Sequence, residues 1–208
     1  MISEEKSNPR YRQIIETSRD LFWKHGLKRV TVEEICREAG VSKMTFYKFF
    51  PNKVELAKSV YTREIDVGME KFRDIISNEN TTAQEKMEQM LLLKSEGTMN
   101  ISREFLNDFY GNPELGLSRW VEKKSREVWQ EMIEDFKKAQ AKGWFRRDFK
   151  PEGFLYIVKT FSEMVTDENL LRLYGTPQEA IMEFSRFFTF GIMPQDKKES
   201  GGKFPDMI

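Results

Sequence analysis

The sequence predicts an all-α protein of about nine helices, with an N-terminal three-helix domain followed by a larger helical domain. Apolar residues recur at the three- and four-residue spacing of one helix face through most of the 208 residues. Ser, Thr and Asn residues that suit helix N-caps precede these stretches, and Gly or Pro follows several of them. No stretch has a convincing strand pattern, so helices are expected to form the whole core.

The first helix is predicted over about residues 9–24, because Pro9 suits a first helical turn and Gly26 suits a helix end. A second helix begins near Val32, where Thr31 and Glu34 have the spacing of a capping box. The signals that follow in the sequence predict two short helices joined by a tight turn. Gly40 favours a left-handed helix end and Ser42 favours a new N-cap, which together predict a helix-turn-helix unit.

The second helix of this unit has an outward face that suits the major groove of DNA. Burial of the apolar positions leaves Lys43, Met44, Tyr47 and Lys48 on one side of the helix. Residues 1–53 carry eleven Lys and Arg against seven Asp and Glu, a net charge of +4 in a chain whose total is zero. This asymmetry favours an N-terminal region that meets phosphates.

Six further helices are predicted after the helix-turn-helix unit. Asn52, with Glu55 three residues later, caps the first of them, which also has Lys53 at its start. Thr176, Pro177 and Glu179 mark the beginning of the last. The predicted ranges are about 53–76, 82–95, 101–110, 117–142, 151–165 and 176–191.

The run T-V-x-x-I-C-x-x-A-G-V-S-K-M-T-F-Y-K-F-F-P-N-K-x-x-L, over residues 31–56, resembles the N-terminal signature of the TetR family of bacterial transcriptional regulators. Three positions depart from the family pattern: Cys36 stands in place of the usual Ala, Met44 where Gly is frequent, and Phe46 where Leu or Ile is usual. Since Met44 lies on the reading face, it bears on the DNA sequence that is recognised. Cys36 is interpreted as a small buried apolar residue.

The resemblance implies a helix-turn-helix domain over residues 9–53 (the head) and a ligand-binding and dimerisation domain over residues 54–193 (the body). The tail over residues 194–208 is rich in Lys, Gly and Ser and is expected to be disordered. The helix from residue 53 to 76 would link head and body. The implied function is that of a homodimeric repressor, which a small-molecule effector releases from a near-palindromic double-stranded DNA operator. A ligand-independent regulator, an activator, and a helical partner-binding protein without DNA binding remain alternatives.

The DNA-binding residues follow from the motif and the family. Phosphate contacts are expected from Thr31, Tyr47 and Lys53, whereas base edges are within reach of Lys43, Met44, Thr45 and Lys48. The full predicted set is Thr31, Ser42, Lys43, Met44, Thr45, Tyr47, Lys48 and Lys53.

The body is rich in Met and aromatic residues, which in helical stripes are more often plain core than ligand contacts. The family nevertheless implies a small-molecule pocket, and the candidate lining residues are Phe72, Met90, Phe105, Phe109, Trp129, Met132 and Phe136. Few basic residues are interleaved with the aromatics of residues 87–136, so an uncharged or cationic, largely apolar effector is expected. Lys94, Arg103, Arg119 and Arg126 leave an anionic effector open.

The last two predicted helices carry more apolar surface than one neighbouring helix covers. They are either core helices of a monomer or, as the resemblance favours, half of a four-helix contact with a second copy. The candidate dimerisation residues are Phe154, Ile157, Val158, Phe161, Ile181, Phe184, Phe187 and Phe188.

Composition weighs against several other classes of protein. One Cys excludes an intrachain disulfide framework, and one His cannot supply the paired Glu-x-x-His ligands of a di-iron bundle. P-loop, dinucleotide-binding and nucleophile-elbow motifs are absent from the sequence, so no enzyme, metal or cofactor is predicted. No secretory signal opens the sequence and no run approaches the ~20 apolar residues of a membrane span, so a cytoplasmic protein is expected.

Overall fold

A computed structural model describes residues 7–111 and 113–194, apart from the side chains at positions 154, 155, 158, 159 and 162. The predicted dimerisation side chains Phe154 and Val158 therefore lie outside the described residues, as does the predicted tail beyond position 194.

The described residues are helical and contain no strand. All nine predicted helices are present, and a tenth, of a single turn, was missed because four residues are too few to show a periodicity. The helices are α1 (Pro9–His25), α2 (Val32–Glu38), α3 (Lys43–Phe49), α4 (Lys53–Ser77), α5 (Ala83–Gly97), α6 (Arg103–Leu106), α7 (Leu117–Ala141), α8 (Phe154–Met164), α9 (Glu168–Leu171) and α10 (Pro177–Gly191). A π-helical turn, Asn107–Gly111, continues α6, and a 3₁₀ turn, Pro151–Gly153, precedes α8.

Side-chain caps begin these helices where the sequence predicted them. The Thr31 hydroxyl accepts a hydrogen bond from the Glu34 amide at 3.1 Å, and the Asn52 side chain accepts one from the Glu55 amide at 2.9 Å. At Thr82 the capping box is complete, because the Glu85 carboxylate also accepts from the Thr82 amide at 2.7 Å. Each cap satisfies backbone N–H groups that the first turn of a helix leaves without an intrahelical partner.

Two clusters of buried residues hold the helices together. The proximal core joins the head to α6, the start of α7 and the start of α10, and includes Phe22, Phe46, Leu56, Phe105, Val121 and Ile181. The distal core joins the second half of α4 to α5, the second half of α7 and the residues after it, and comprises Phe72, Ile76, Met87, Phe136, Ala139, Phe145 and Ile192. Packing of the proximal core crosses the predicted domain boundary at residue 53. No described helix combines the length and apolarity needed to cross a membrane.

Candidate DNA-binding surface and body sites

The helix-turn-helix unit consists of α2 and α3, joined at Gly40, where the backbone angle φ of +64° requires the left-handed conformation. Ile35 and Phe46 are fully buried between the two helices. Tyr11 of α1 supports them from behind, since its ring stacks on Phe50 at 5.1 Å between centroids. The small Cys36 is buried in the same packing, as predicted. Together these contacts fix the orientation of α3 relative to the head.

The outward side of α3 is exposed where the sequence predicted a reading face. Met44 is 83% exposed and Tyr47 is 55% exposed, the latter with its ring edge against Phe46 at 5.2 Å. Lys43 and Lys48 are exposed beside them. Thr31 and Ser42, at the N-termini of α2 and α3, are also exposed, and Thr45 is half-buried. These seven side chains therefore lie on or around one surface that can approach a DNA groove.

The hydroxyl groups at the start of α3 form a small network. The Ser42 hydroxyl accepts from the Thr45 amide at 3.1 Å and lies 3.0 Å from the Thr45 hydroxyl. Both groups are close to the helix N-terminus, whose partial positive charge favours an anion. The two hydroxyl groups are therefore held at the N-terminus of α3, where they can contact DNA.

Lys43 is not independent of its neighbours, because its ammonium donates a hydrogen bond to the Glu33 carboxylate of α2. This bond is the main reason that the pKa of Glu33 is lowered and the pKa of Lys43 is raised. Glu33 was not among the predicted site residues, although its position on the first helix of the motif follows from the sequence. A carboxylate at the reading face competes with DNA phosphates for the Lys43 charge.

The Lys53 ammonium was expected to contact a phosphate, but in the structure it has partners within the chain. Its Nζ donates to the carbonyl oxygens of Leu27 at 2.6 Å and Val30 at 2.5 Å, in the loop between α1 and α2. Desolvation by this burial lowers the pKa of Lys53. The ammonium is thus directed into the protein, where three carbonyl groups of one loop offer it acceptors. Its role in this structure is to hold that loop to the start of α4.

The same loop is fastened to the body from its other side. The buried Asp108 carboxylate, in the π-helical turn, accepts a hydrogen bond from the Lys28 amide at 2.8 Å. Gly26 has φ +75°, and a Cβ there would lie 2.8 Å from the Asp108 carboxylate and 2.9 Å from Glu104 Cβ. The indole of Trp23 donates to the Gly97 carbonyl at 3.0 Å. The end of α1 and the loop after it are therefore in direct contact with the body, a junction that no local sequence pattern predicts.

The predicted ligand-lining residues fall into two separate groups. Phe72 and Phe136 belong to the distal core, and Met90, Trp129 and Met132 pack against it. Phe105 and Phe109, in contrast, lie in the proximal core. Since Trp23 is 4.3 Å from Phe105 between ring centroids, these two phenylalanines pack at the head–body junction and not beside the other five. Their assignment to the same pocket is corrected accordingly.

The predicted dimerisation residues also divide by burial. Ile181 is 3% exposed in the proximal core, so it is unavailable to a second copy and its assignment is corrected. Phe187 is 64% exposed, whereas Ile157, Phe161, Phe184 and Phe188 are half-buried. Two exposed aromatic residues of these helices were missed, Tyr156 at 81% and Phe190 at 55% exposure. Phe190 could have been found, because it lies three residues after Phe187 on the same helical stripe.

The surface of the described residues includes a groove and a cleft. A groove of about 320 Å³ is bounded by residues of α8 and by Phe188 of α10. A cleft of about 460 Å³ lies at the head–body junction beside Lys28, Asn107, Gly111, Pro113 and Glu114. No cluster of three or more potential metal-ligating side chains occurs in the part of the chain that is described.

Comparison with known proteins shows what the helix-turn-helix unit is similar to. The family model described as "Bacterial regulatory proteins, tetR family" matches residues 14–60, which span most of α1, all of α2 and α3, and the start of α4. The fatty acid metabolism regulator protein of Bacillus subtilis (strain 168) is 29% identical over 82 residues, 39% of this chain and 42% of that protein. The uncharacterized HTH-type transcriptional regulator YerO of the same strain is 38% identical over 68 residues, 33% of this chain and 24% of that protein. The chain thus aligns with less than half the length of these two relatives.

Solved structures show the same fold over nearly the whole chain. The fatty acid degradation regulator FadR from Bacillus halodurans has a TM-score of 0.60 at 20% identity, over 91% of this chain and 99% of that one. A putative TetR-family transcriptional regulator from Rhodococcus sp. has a TM-score of 0.62 at 16% identity, over 88% and 98%. At these identities the likeness establishes the fold alone.

An exposed second helix is the element with which helix-turn-helix proteins enter the major groove of DNA. Over residues 14–60, where the family model matches, the chain is similar to the TetR family.

Proposed function

We propose that the chain is a homodimeric repressor, which binds a near-palindromic operator and is released from it by a small-molecule effector. The observation that carries the proposal is the exposed face of α3, on which Met44 and Tyr47 project from a helix fixed by buried neighbours. The second helix of such a motif is the element that enters the major groove in helix-turn-helix proteins.

Contacts with DNA would divide by kind. Thr31 and Tyr47 would contact phosphates, with Ser42 at the helix N-terminus, whereas the base edges would fall to the side chains at positions 43–45 and 48. The contribution of Lys53 would come from its backbone N–H at the start of α4, since its ammonium is occupied by carbonyl groups.

A second copy of the chain would cover the aromatic face of α8 and α10. Tyr156, Phe187 and Phe190 expose large rings there, in a chain of which one third of the residues are charged. A face of this kind favours burial against an identical face around a two-fold axis. Two-fold symmetry would place two α3 helices on half-sites one helical turn, ~34–36 Å, apart.

Release would depend on two links between head and body. One is α4, which contributes Leu56 to the proximal core and Phe72 to the distal core. The other is the junction at Asp108, which holds the loop after α1. An effector that prefers one arrangement of these links would shift DNA affinity by its differential affinity for the two arrangements, and ~1–3 kcal/mol gives roughly 5- to 150-fold. Because two of the relatives are named for fatty acid metabolism or degradation, genes of that metabolism are the first targets to test.

Selection of binding sites from random-sequence DNA, followed by titration of the enriched site, tests the proposal. We expect one enriched near-palindrome that binds a dimer. Tyr47→Ala should weaken binding to it, whereas Lys123→Ala, on the exposed side of α7, should not. Absence of any enriched sequence would favour a partner-binding protein without DNA binding. Activation of a reporter gene by the chain would show that it is an activator and not a repressor.

A further inference from the structure

Glu33 and Lys43 join the starts of the two helices of the helix-turn-helix unit. The helix caps make Glu33 the second residue of α2 and Lys43 the first residue of α3. The turn between the helices is closed by a hydrogen bond of 2.9 Å, which the Val41 amide donates to the Cys36 carbonyl. Across this turn, the Lys43 ammonium donates to the Glu33 carboxylate, ten positions earlier in the chain. The turn therefore holds the ion pair beside the exposed face of α3.

Folding stability gives little reason for this ion pair. Both side chains are more than half exposed, and an ion pair in contact with water contributes little to stability. A carboxylate in the first turn of α2 also favours the helix dipole, but Glu34 supplies the same charge in the same turn. What distinguishes Glu33 is its contact with a lysine of the exposed α3 face.

A carboxylate at this place costs affinity for DNA, because it lies on a surface that would approach phosphates. Such a cost can provide specificity, since a protein rejects a wrong partner by placing against it a group that the partner leaves unpaired. The Glu33–Lys43 pair offers DNA one donor group and one acceptor group in contact with each other. The base pair that satisfies both groups is therefore favoured over one that satisfies neither.

A G·C base pair is complementary to this arrangement. In the major groove guanine presents the acceptors O6 and N7, and cytosine presents the N4 amino group as a donor. An ammonium over the purine and a carboxylate over the pyrimidine would both find partners. In the same orientation, an A·T pair presents the N6 amino group of adenine to the ammonium and the O4 atom of thymine to the carboxylate. Donor then faces donor and acceptor faces acceptor, so A·T is rejected.

We propose that Glu33 is a specificity-determining residue, which together with Lys43 reads one G·C base pair in each half-site. This inference rests on the proposed function, since it requires the chain to bind DNA. Glu33 lowers the affinity for every sequence, but least where the amino group of a cytosine donates to its carboxylate. Glu33 thus excludes wrong base pairs, whereas Lys43 supplies the attraction.

Operators that the wild-type chain selects from random-sequence DNA provide the test. The position that the pair reads is identified independently, as the one at which Lys43→Ala relaxes the preference, and it should be G·C. Two duplexes, with G·C or with A·T at this position, are then titrated. The wild type should prefer G·C by about tenfold or more. Glu33→Gln should bind both duplexes more tightly and reduce the preference to about threefold or less, because an amide can accept from cytosine or donate to thymine.

Two controls separate the reading of a base pair from the general effect of charge. Glu34→Gln removes the same charge from the same turn, so it should raise the affinity for both duplexes without changing their ratio. A duplex with 7-deazaguanine at the same position lacks the N7 acceptor, so it should weaken binding by the wild type but not by Lys43→Ala. The melting temperature of each variant measures folding, and a loss of folded chain would reduce both affinities alike.

The inference is overturned if Lys43→Ala relaxes no position or one that is not G·C. It is equally overturned if Glu33→Gln keeps the preference of the wild type, or if Glu34→Gln lowers it as much. In each of these cases the selected operator remains, and with it the proposed function. A wild-type chain that selects no operator would overturn both.

Discussion

Lys43 and Lys53 begin two successive helices of the head but face different surroundings. The Lys43 ammonium is at the surface and pairs with Glu33, whereas the Lys53 ammonium is surrounded by carbonyl groups of the α1–α2 loop. A surface charge is available to DNA phosphates or bases, and an enclosed one stabilises the backbone around it. The two lysines should therefore respond differently to substitution.

Lys53→Met should destabilise the chain without changing how DNA binding depends on salt. The substitution leaves the carbonyl oxygens of Leu27 and Val30 without their donor, which costs about 1–3 kcal/mol. Denaturant unfolding measures the first effect, and DNA titration at several salt concentrations measures the second. If Lys53→Met unfolded like the wild type and its salt slope were smaller by about one unit, the ammonium of Lys53 would be assigned to the phosphate contact that the sequence predicted.

Lys43→Ala and Glu33→Gln should change DNA binding in opposite directions. Loss of Lys43 should cost about 1–3 kcal/mol and relax the preference at one base position, as for other base-edge contacts. Glu33→Gln removes the carboxylate that competes for Lys43, so it should tighten binding to every sequence. Titration of the selected site and its single-base variants measures both. Equal weakening by Lys43→Ala on all sequences would assign Lys43 to a phosphate.

Among the helices, the contact of α1 with the π-helical turn after α6 provides a connection between head and body that does not run through α4. Gly26 allows the chain to pass within contact distance of Asp108 and Glu104, and the Lys28 amide is then held by the Asp108 carboxylate. The two residues joined by this bond are 80 positions apart in the chain. A shift of the turn in the body would therefore move the loop that leads into α2.

Gly26→Ala should destabilise the chain more than Gly40→Ala, with which it is compared. Both glycines have positive φ, which costs a residue with a side chain about 1–3 kcal/mol, and Gly26, with ψ of 168°, lies in a region that is essentially restricted to Gly. A Cβ at position 40 meets nothing within 4 Å, whereas at position 26 it lies under 3.0 Å from Asp108 and Glu104. Denaturant unfolding measures the loss of stability in each variant. Equal losses would indicate that the junction accommodates the added Cβ without a further loss of stability.

Tyr61 of α4 and Tyr110 of the π-helical turn place two phenols in contact, with their oxygens 3.0 Å apart. Burial raises the pKa of Tyr61 and raises that of Tyr110 well above its ordinary value. The folded chain thus keeps these protons at a pH where the unfolded chain loses them. Their contribution to stability is complete below the ordinary phenol pKa of about 10 and is lost as the pH rises above it.

Tyr110→Phe should therefore reduce the fall in stability between about pH 9 and about pH 11. Urea unfolding across this range measures the slope of the free energy of unfolding against pH. Tyr47→Phe, which removes a phenol that is 55% exposed, is the comparison. A Tyr110→Phe slope no smaller than that of the wild type would show that the buried pair does not govern alkaline stability.

For the whole molecule, the aromatic face of α8 and α10 decides the proposed assembly. Phe187→Glu should convert the proposed dimer to a monomer, because it places a carboxylate in an apolar contact. Phe184 is a poorer test, since its ring also packs against Phe161 of the same chain, 6.3 Å away between centroids. Leu92→Glu, at an equally exposed residue of α5, is the control. Sedimentation that gives an unchanged dimer for Phe187→Glu would exclude this face as the contact.

The sequence by itself determined the helices and the helix-turn-helix unit, because caps, glycine ends and apolar spacing act over a few neighbouring residues. Thr31, Ser42 and Asn52 cap helices in the structure as their positions predicted. The exposed face of α3 followed from the same local rule, since the burial of Phe46 determines which side of a short helix faces outward.

Only the tertiary structure decided which atoms those side chains meet. The inward direction of the Lys53 ammonium, the burial of Ile181 and the separation of Phe105 from the distal core all depend on segments that are distant in the chain. Helix periodicity states that a residue faces inward, but not which neighbour it faces. That choice is made by the packing of whole helices, in which each contact depends on all the others.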